Sequence, residues 1–328
     1  MDTGTHVAMG IALGGLAAID PVVAQNSAFH QLVMIGTIVG SNAPDFDTVL
    51  KLKNNASYLR HHRGITHSIP AVLLWPSLIA FGLYLIDPTI NVIHLWLWTF
   101  LAVFLHVFVD LFNGYGTQAL RPFNKKWIAF GIINTFDPFI FSLHLIGIGL
   151  WLFGFPPVPV FLVMYMFLAV YYVWRSYIRY LLVKQVKRKI PNVEKVICLP
   201  TLNWRKWHIA AMTKNEFYVA QAKKMQLSIL DVYKRKPLPN SPIMEAAKKD
   251  ENISAFLAFS PVYRWEVKLT KNGHEVRFID LRYRSKGHYP FIAVVHLDRN
   301  LNIIHSYTGW VYNKNRLKRR LKPQTNVN

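Results

Sequence analysis

The sequence predicts an α-helical polytopic membrane domain of about six transmembrane or re-entrant helices, followed by a smaller basic, strand-rich cytoplasmic α+β domain. Three observations support this prediction. The chain of 328 residues is 52% hydrophobic, and its longest apolar runs lie in the first half. Residues 1–174 contain seven Lys/Arg, seven Asp and no Glu, so the whole net charge of +21 lies beyond them. We therefore predict a membrane domain at 1–183 and a cytoplasmic domain at 184–328.

Six apolar stretches predict the membrane-embedded helices. They lie at about 7–23, 28–43, 69–86, 92–112, 139–155 and 158–174. A spanning helix needs about 20 residues to cross about 30 Å of hydrocarbon, and the fourth stretch fits this length well. The first two stretches are shorter and contain glycines, so we expect them to be tilted, re-entrant or packed inside the bundle.

The basic residues of the first half predict the orientation of these helices. Segments 44–68 and 113–138 contain all seven Lys/Arg of this half, whereas the loops at 20–27, 88–91 and 154–157 contain none. Cytoplasmic loops are enriched in Lys and Arg. Six crossings with both termini in the cytoplasm place both basic segments inside the cell and all three loops without Lys or Arg outside it. The basic tail would then face anionic lipid headgroups, at roughly 1 kcal/mol of attraction for each basic residue near the surface.

The tail shows hairpin patterns. Tyr263–Thr270 and residues 275–284 flank Asn272-Gly273, a strong hairpin signal, and residues 291–297 and 302–307 predict a second hairpin. Residues 244–251 predict a short helix. The basic and aromatic character of the tail, including the basic run at 314–322, also suits nucleic acid, but we favour a solvated, lipid-facing surface. With one cysteine, Cys198, the chain forms no intrachain disulfide.

Ionisable side chains are rare in membrane segments and are usually functional. In this chain they gather at the predicted cytoplasmic helix ends, and His106 and Asp110 are four residues apart on one helix face. Imidazole and carboxylate ligands suit zinc, manganese or iron(II). The candidate ligands of a divalent metal, zinc being preferred, are His6, Asp45, His62, His67, His106 and Asp110.

Each of these residues also has a structural alternative. Asp45 and Asp47 can cap the following helix, and Arg63 can pair with Asp47 instead of orienting an anionic substrate group. His61 is expected to be a surface neighbour of the candidate site. His94 and His144 are expected to lie away from the cluster.

Four elements carry a family resemblance. They are Thr5-His6, Pro44-Asp45-Phe46-Asp47, His62-Arg63-Gly64-Ile65-Thr66-His67-Ser68 and the helix face of His106 and Asp110. Together they resemble the YdjM-like family of bacterial inner-membrane proteins, described as membrane-bound metal-dependent hydrolases, over roughly residues 1–140. The resemblance implies a multi-pass protein of the bacterial cell membrane with a metal site.

The leading hypothesis is a metal-dependent hydrolase at the cytoplasmic membrane face, acting on an anionic substrate such as the phosphoester of a lipid headgroup. The metal would lower the pKa of a bound water to about 7. Asp47, Asp137 or a histidine would be the general base, and Arg63 and Ser68 would bind oxygens of the scissile group. The alternatives are a regulator or scaffold acting through its basic tail, and an ion-handling membrane protein. A transporter would place charges nearer the bilayer midplane.

Overall fold

The computed structural model describes residues 1–313, so the basic run at 314–322 lies outside the described residues. The chain forms two compact units. The first contains residues 1–48, 62–181 and 198–204, and the second contains 49–61, 182–197 and the chain from 205 onward. Each unit thus includes a short segment from the other half of the sequence. The division at 183/184 stays a prediction.

The described chain contains ten α-helices and eight strands. In chain order the helices are α1 Thr3–Leu16, α2 Pro21–Ala24, α3 Ser27–Gly40, α4 Asn55–His61, α5 Ile69–Ile86, α6 Val92–Asp110, α7 Pro138–Leu152, α8 Pro157–Lys189, α9 Pro242–Lys249 and α10 Glu251–Phe259. The strands are β1 Lys195–Pro200, β2 Lys206–Met212, β3 Glu216–Lys223, β4 Gln226–Lys234, β5 Tyr263–Thr270, β6 Gly273–Asp280, β7 Phe291–Leu297 and β8 Ile303–Trp310. Two further 3₁₀ segments, Ala43–Leu52 and Ile65–His67, contribute to the candidate site.

The first part of the chain is helical and apolar, as predicted. Among the described residues, α5, α6 and α8 are long and apolar enough to cross a membrane. The other three apolar helices, α1, α3 and α7, contain only 14, 14 and 15 residues. Helix α8 continues for 33 residues, well past the predicted end at 174, since no helix breaker occurs before Pro191. Length therefore supports spanning for three helices, and six crossings stay a prediction.

Polar caps fix where several of these helices begin. Asp2 accepts a hydrogen bond from the Thr5 backbone N–H at the start of α1. Ser68 caps α5 through the Ala71 N–H, and Asp137 caps α7 through the N–H groups of Phe139 and Ile140. Such side chains satisfy backbone donors that a helix leaves without partners in its first turn. Ser68 and Asp137 therefore have a structural role that the sequence analysis did not assign to them.

Close helix packing explains the glycines of the first two apolar stretches. A Cβ atom at Gly10 of α1 would lie 2.7 Å from the Cα of Ile38 in α3. A Cβ atom at Gly36 of α3 would lie 2.7 Å from Oγ1 of Thr99 in α6. Small residues allow helix backbones to approach closely within a membrane. Packing of α1, α3 and α6 brings His6 onto His106.

The second unit is strand-rich, as predicted. The strands form two four-stranded sheets with the orders β1-β2-β3-β4 and β5-β6-β7-β8, in which β2 to β4 and β5 to β8 pair antiparallel. Both predicted hairpins are confirmed as β5–β6 and β7–β8. The predicted helix at 244–251 is instead two helices, because Asp250 ends α9 and caps α10. Helices α9 and α10 pack on the second sheet through a core that includes Met244, Phe256 and Phe278.

Candidate metal centre

Four predicted ligands form one compact group, and their ligand atoms all lie within 4.8 Å of one another. They are Asp45, His67, His106 and Asp110, which we call the inner group. Nε2 of His67 lies 3.3 Å from Nε2 of His106. The same His67 atom lies 3.5 Å from Oδ1 of Asp45 and 3.6 Å from Oδ2 of Asp110. Nε2 of His106 lies 3.7 Å and 3.8 Å from these two oxygens.

Three separate elements build the inner group. The 3₁₀ segment after α3 contributes Asp45, the 3₁₀ turn before α5 contributes His67, and the last turns of α6 contribute His106 and Asp110. The side chains of His67, His106 and Asp110 are fully buried, whereas the Asp45 side chain is 13% exposed. The side that carries Asp45 is therefore the side from which small molecules can reach the group.

The hydrogen bonds assign the tautomers of both imidazoles. Nδ1 of His106 lies 2.6 Å from the Ser41 carbonyl oxygen, which only accepts, so this Nδ1 carries the proton. The Thr66 hydroxyl donates to Oδ2 of Asp47 and therefore accepts from Nδ1 of His67 at 3.1 Å. In the neutral imidazoles both Nε2 atoms then point inward as bare acceptors.

The donor set fits a metal ion. Two imidazole nitrogens and two carboxylate oxygens converge, and among the described residues no hydrogen bond reaches Oδ1 of Asp45. Four acceptors in contact repel one another unless a cation lies between them. A tetrahedral ion with ligands about 2.0–2.1 Å away separates those ligands by about 3.3–3.4 Å, close to the observed spacings. The second hydrogen bond of each imidazole also matches the way proteins orient metal ligands.

Charge states at the inner group suit the same ion. Burial lowers the pKa of His67 well below its usual range, and the facing His106 lowers it further. Burial raises the pKa of the Asp45 carboxyl, but the imidazoles and the Arg63 guanidinium more than offset this, so the pKa lies below its usual range. A neutral imidazole and an ionised carboxylate are the forms that bind metals.

Three residues, Asp45, Asp47 and His62, form a second ligand group, which we call the outer group. Nδ1 of His62 lies 2.6 Å from Oδ1 of Asp47, and the Arg63 backbone N–H donates to Oδ2 of Asp47 at 3.0 Å. With the bond from Thr66, the Asp47 carboxylate accepts from three neighbours in one short segment. Asp47 thus holds the segment 62–67 in place, while His62 is half-buried at its edge.

His6 lies beside the inner group rather than within it. Its ring stacks on the His106 ring at a centroid distance of 3.7 Å. Its Nε2 lies 2.9 Å from the Met1 amine and 3.6 Å from Oδ1 of Asp110. The Met1 amine also contacts Oδ1 of Asp110, and Nη2 of Arg63 lies 3.1 Å from Oδ2 of the same carboxylate. The Met1 amine and the Arg63 guanidinium therefore contact different oxygens of the Asp110 carboxylate, and Arg63 shares Oδ2 with His67.

The remaining predicted residues lie outside both groups. The Ser68 hydroxyl donates to the Ile65 carbonyl oxygen, and Asp137 accepts from the Tyr171 hydroxyl in addition to its capping bonds. His61 is exposed, and His144 lies in α7, as expected. Two groups that orient the site residues, the Thr66 hydroxyl and the Ser41 carbonyl oxygen, were not predicted from the sequence. Thr66 stood in the quoted motif without a role, whereas the Ser41 carbonyl is a backbone group that no sequence pattern marks.

Apolar helices and a buried histidine–aspartate group define a helical membrane protein with a candidate metal centre. The chain belongs to the YdjM inner membrane protein family, whose model matches residues 1–182. It is 55% identical to the uncharacterized protein YfhP of Bacillus subtilis (strain 168) over 327 residues, which cover 98% of this chain and 99% of YfhP. Models of the YfhP middle domain and the YfhP C-terminal alpha/beta plait domain match residues 191–233 and 242–321. No solved structure matches. The family resemblance is therefore confirmed, and it extends beyond residue 140.

Proposed function

We propose that this chain is a metal-dependent hydrolase that acts at the cytoplasmic membrane face on a phosphoester, such as that of a lipid headgroup. The ion, zinc or alternatively manganese or iron, would be bound by Asp45, His67, His106 and Asp110. One observation carries the proposal, namely that two imidazole nitrogens and two carboxylate oxygens converge in a buried site where, among the described residues, no hydrogen bond reaches Oδ1 of Asp45. The outer group offers a position for a second ion, with Asp45 shared.

When bound, such an ion supplies Lewis-acid polarisation and makes water more acidic. The chain's own general base would then be His62, whose imidazole lies in the half-buried outer group and is oriented by the contact of its Nδ1 with Asp47. Asp47 orients this imidazole rather than acting as the base itself, since its carboxylate already accepts three hydrogen bonds. Water adds to phosphorus, the bond to the alcohol oxygen breaks, and His62 returns the proton to that alcohol.

The charge around the inner group supports an anionic substrate. Arg63 is buried with its guanidinium beside Asp110, where a developing negative charge would be stabilised more strongly than in water. We further propose six crossings, cytoplasmic termini and contact of the basic tail with anionic headgroups. These proposals place the substrate phosphate, the candidate ligands and the basic tail on the same side of the membrane.

Metal content tests the site. We expect the detergent-purified chain to contain stoichiometric metal by elemental mass spectrometry. His67→Ala and Asp110→Asn should each lose most of it. His61→Ala is the matched control, because His61 is exposed and lies outside both groups. A metal-free wild type, or equal loading of all four proteins, would overturn the proposed site.

The base is tested separately from the ion. We expect His62→Gln to keep the metal of the inner group, which does not include His62, while hydrolysis of a phosphomonoester slows by about 10²–10⁴-fold, the usual contribution of a general base. Retained activity in this variant would exclude His62 as the base, and loss of metal together with activity would assign it to ion binding instead.

A further inference from the structure

A cavity of about 440 Å³ lies among the helices of the first unit, beside the inner group. Its walls come from the end of α6, from α7 and from α8, and they are almost entirely apolar. On α8 it extends from Tyr165 to Ser176, which is about 16 Å at 1.5 Å per residue. This volume lies within the usual range of ligand sites.

Met1 lies between this cavity and the inner group. Its buried side chain lines the cavity, and its amine contacts Asp110 and lies 2.9 Å from Nε2 of His6. The Tyr172 hydroxyl, also in the cavity wall, lies 3.8 Å from the Met1 sulfur. A molecule in the cavity would thus have one end next to the candidate ligands.

The cavity also reaches the surface at residues of two helices that are long enough to span the membrane. Phe108 of α6 and Val173 of α8 line it and are 42% and 70% exposed. Both helices are candidate membrane spans. Such an opening would face hydrocarbon, so the molecules that can enter sideways are membrane lipids.

Two polar atoms in the wall lack partners among the described residues. His144 is 1% exposed, and its Nδ1 donates to the Ile140 carbonyl oxygen, so Nε2 is left as a bare acceptor. The Tyr165 hydroxyl is a donor without a partner. A buried polar group without a hydrogen bond destabilises a fold by about 1–3 kcal/mol. An ester carbonyl oxygen of a glycerolipid would accept a hydrogen bond from the Tyr165 hydroxyl.

We infer that this cavity binds the acyl chain of a glycerophospholipid, with the polar end of the lipid directed toward Met1, beside the inner group. The inference rests on the proposed function for the role of the phosphate, but binding of the chain is a separate property. It defines the substrate class as a phospholipid that reaches the site from within the bilayer, rather than a soluble phosphoester.

The test uses the full chain in phosphatidylcholine vesicles with a small fraction of phosphatidylglycerol that carries a diazirine midway along one acyl chain. Ala169→Phe fills the cavity, because Ala169 lines it. Val170→Phe is the matched control, because Val170 is the next residue, is 63% exposed and does not line the cavity. Tyr165→Phe removes only the unpartnered hydroxyl.

We expect wild type and Val170→Phe to be labelled in the cavity wall. Labelling of the cavity wall should fall at least tenfold in Ala169→Phe and several-fold in Tyr165→Phe. Equal labelling of wild type, Ala169→Phe and Val170→Phe would identify surrounding bulk lipid and overturn the inference. Metal content is measured in the same samples. Metal-free protein with cavity labelling would overturn the proposed function alone, and loaded protein without cavity labelling would overturn this inference alone.

Discussion

Asp45 and Asp47 are two residues apart, yet their environments differ. Oδ1 of Asp45 faces two imidazole nitrogens, whereas Asp47 accepts hydrogen bonds from the segment 62–66. The sequence identified both as candidate site residues because acidic groups at a membrane helix end are unusual. It could not separate their roles, because these depend on the fold of the 3₁₀ segment and on the Thr66 hydroxyl between Asp47 and His67.

Asp47→Asn tests this separation. An amide can present a donor to Thr66 or His62, so the chain of hydrogen bonds that fixes the His67 tautomer would be disturbed. We expect metal affinity to fall by about 10–100-fold, as is usual for groups that orient ligands, and the change is measured by competition with a chelator. Asp137→Asn is the control, since Asp137 caps α7 outside both groups. Equal weakening by both variants would contradict a specific role for Asp47.

Among the elements, the apolar helices and the two C-terminal hairpins could be predicted from the sequence. Hydropathy marked the helices, and Asn272-Gly273 marked the β5–β6 turn. The first sheet was covered only by a general expectation of strands, since β2 and β3 carry consecutive buried residues instead of strict alternation. The end of α8 was also missed, because charged residues continue a helix as readily as apolar ones.

The turn after α6 depends on a glycine. Gly116 has a φ of +72°, and a Cβ there would lie 2.0 Å from the Ile128 carbonyl oxygen, beside the bridge between Thr117 and Ile128. We expect Gly116→Ala to destabilise the first unit by at least about 1–3 kcal/mol, measured as a fall in the thermal unfolding midpoint. Gly149→Ala is the control, since no atom lies within 4 Å of its Cβ position. Equal midpoints for the two variants would contradict this packing.

At the scale of the whole molecule, the distribution of Lys and Arg predicts how the chain crosses the membrane. The loop at 87–91 joins α5 to α6 and contains no basic residue, whereas segments 44–68 and 113–138 contain all the Lys and Arg of the first half. The proposed orientation rests on this charge pattern.

Reporter fusions test the orientation. We expect a reporter fused after Pro88 to lie outside the cell, because that loop has no positive charge to hold it in the cytoplasm. A reporter fused after Lys189, at the end of α8, should lie inside. Protease accessibility in intact cells provides the measurement. Cytoplasmic location of the first fusion would reverse the orientation and remove the site from the cytoplasmic face.

Truncation of the chain tests where the first unit ends. Arg175 is buried, and its side chain donates to the carbonyl oxygens of Ile132 and Trp204. Residues 198–204 belong to the first unit, although the family model ends at 182. A chain that ends at 183 lacks one acceptor for a buried guanidinium, which is costly. We expect its thermal midpoint to lie below that of a chain that ends at 204, and equal midpoints would contradict this role of the segment.

Because Asp45 belongs to both ligand groups, cation binding at the two proposed positions would be thermodynamically linked. An ion in the inner group would bind the same Asp45 carboxylate as an ion beside His62. Each ion would then change the affinity of the site for the other ion by the same factor. A metal titration should therefore show two dependent steps rather than two independent ones. A single partly exposed side chain, Asp45, thereby connects the buried atoms of the inner group with the half-buried imidazole of His62.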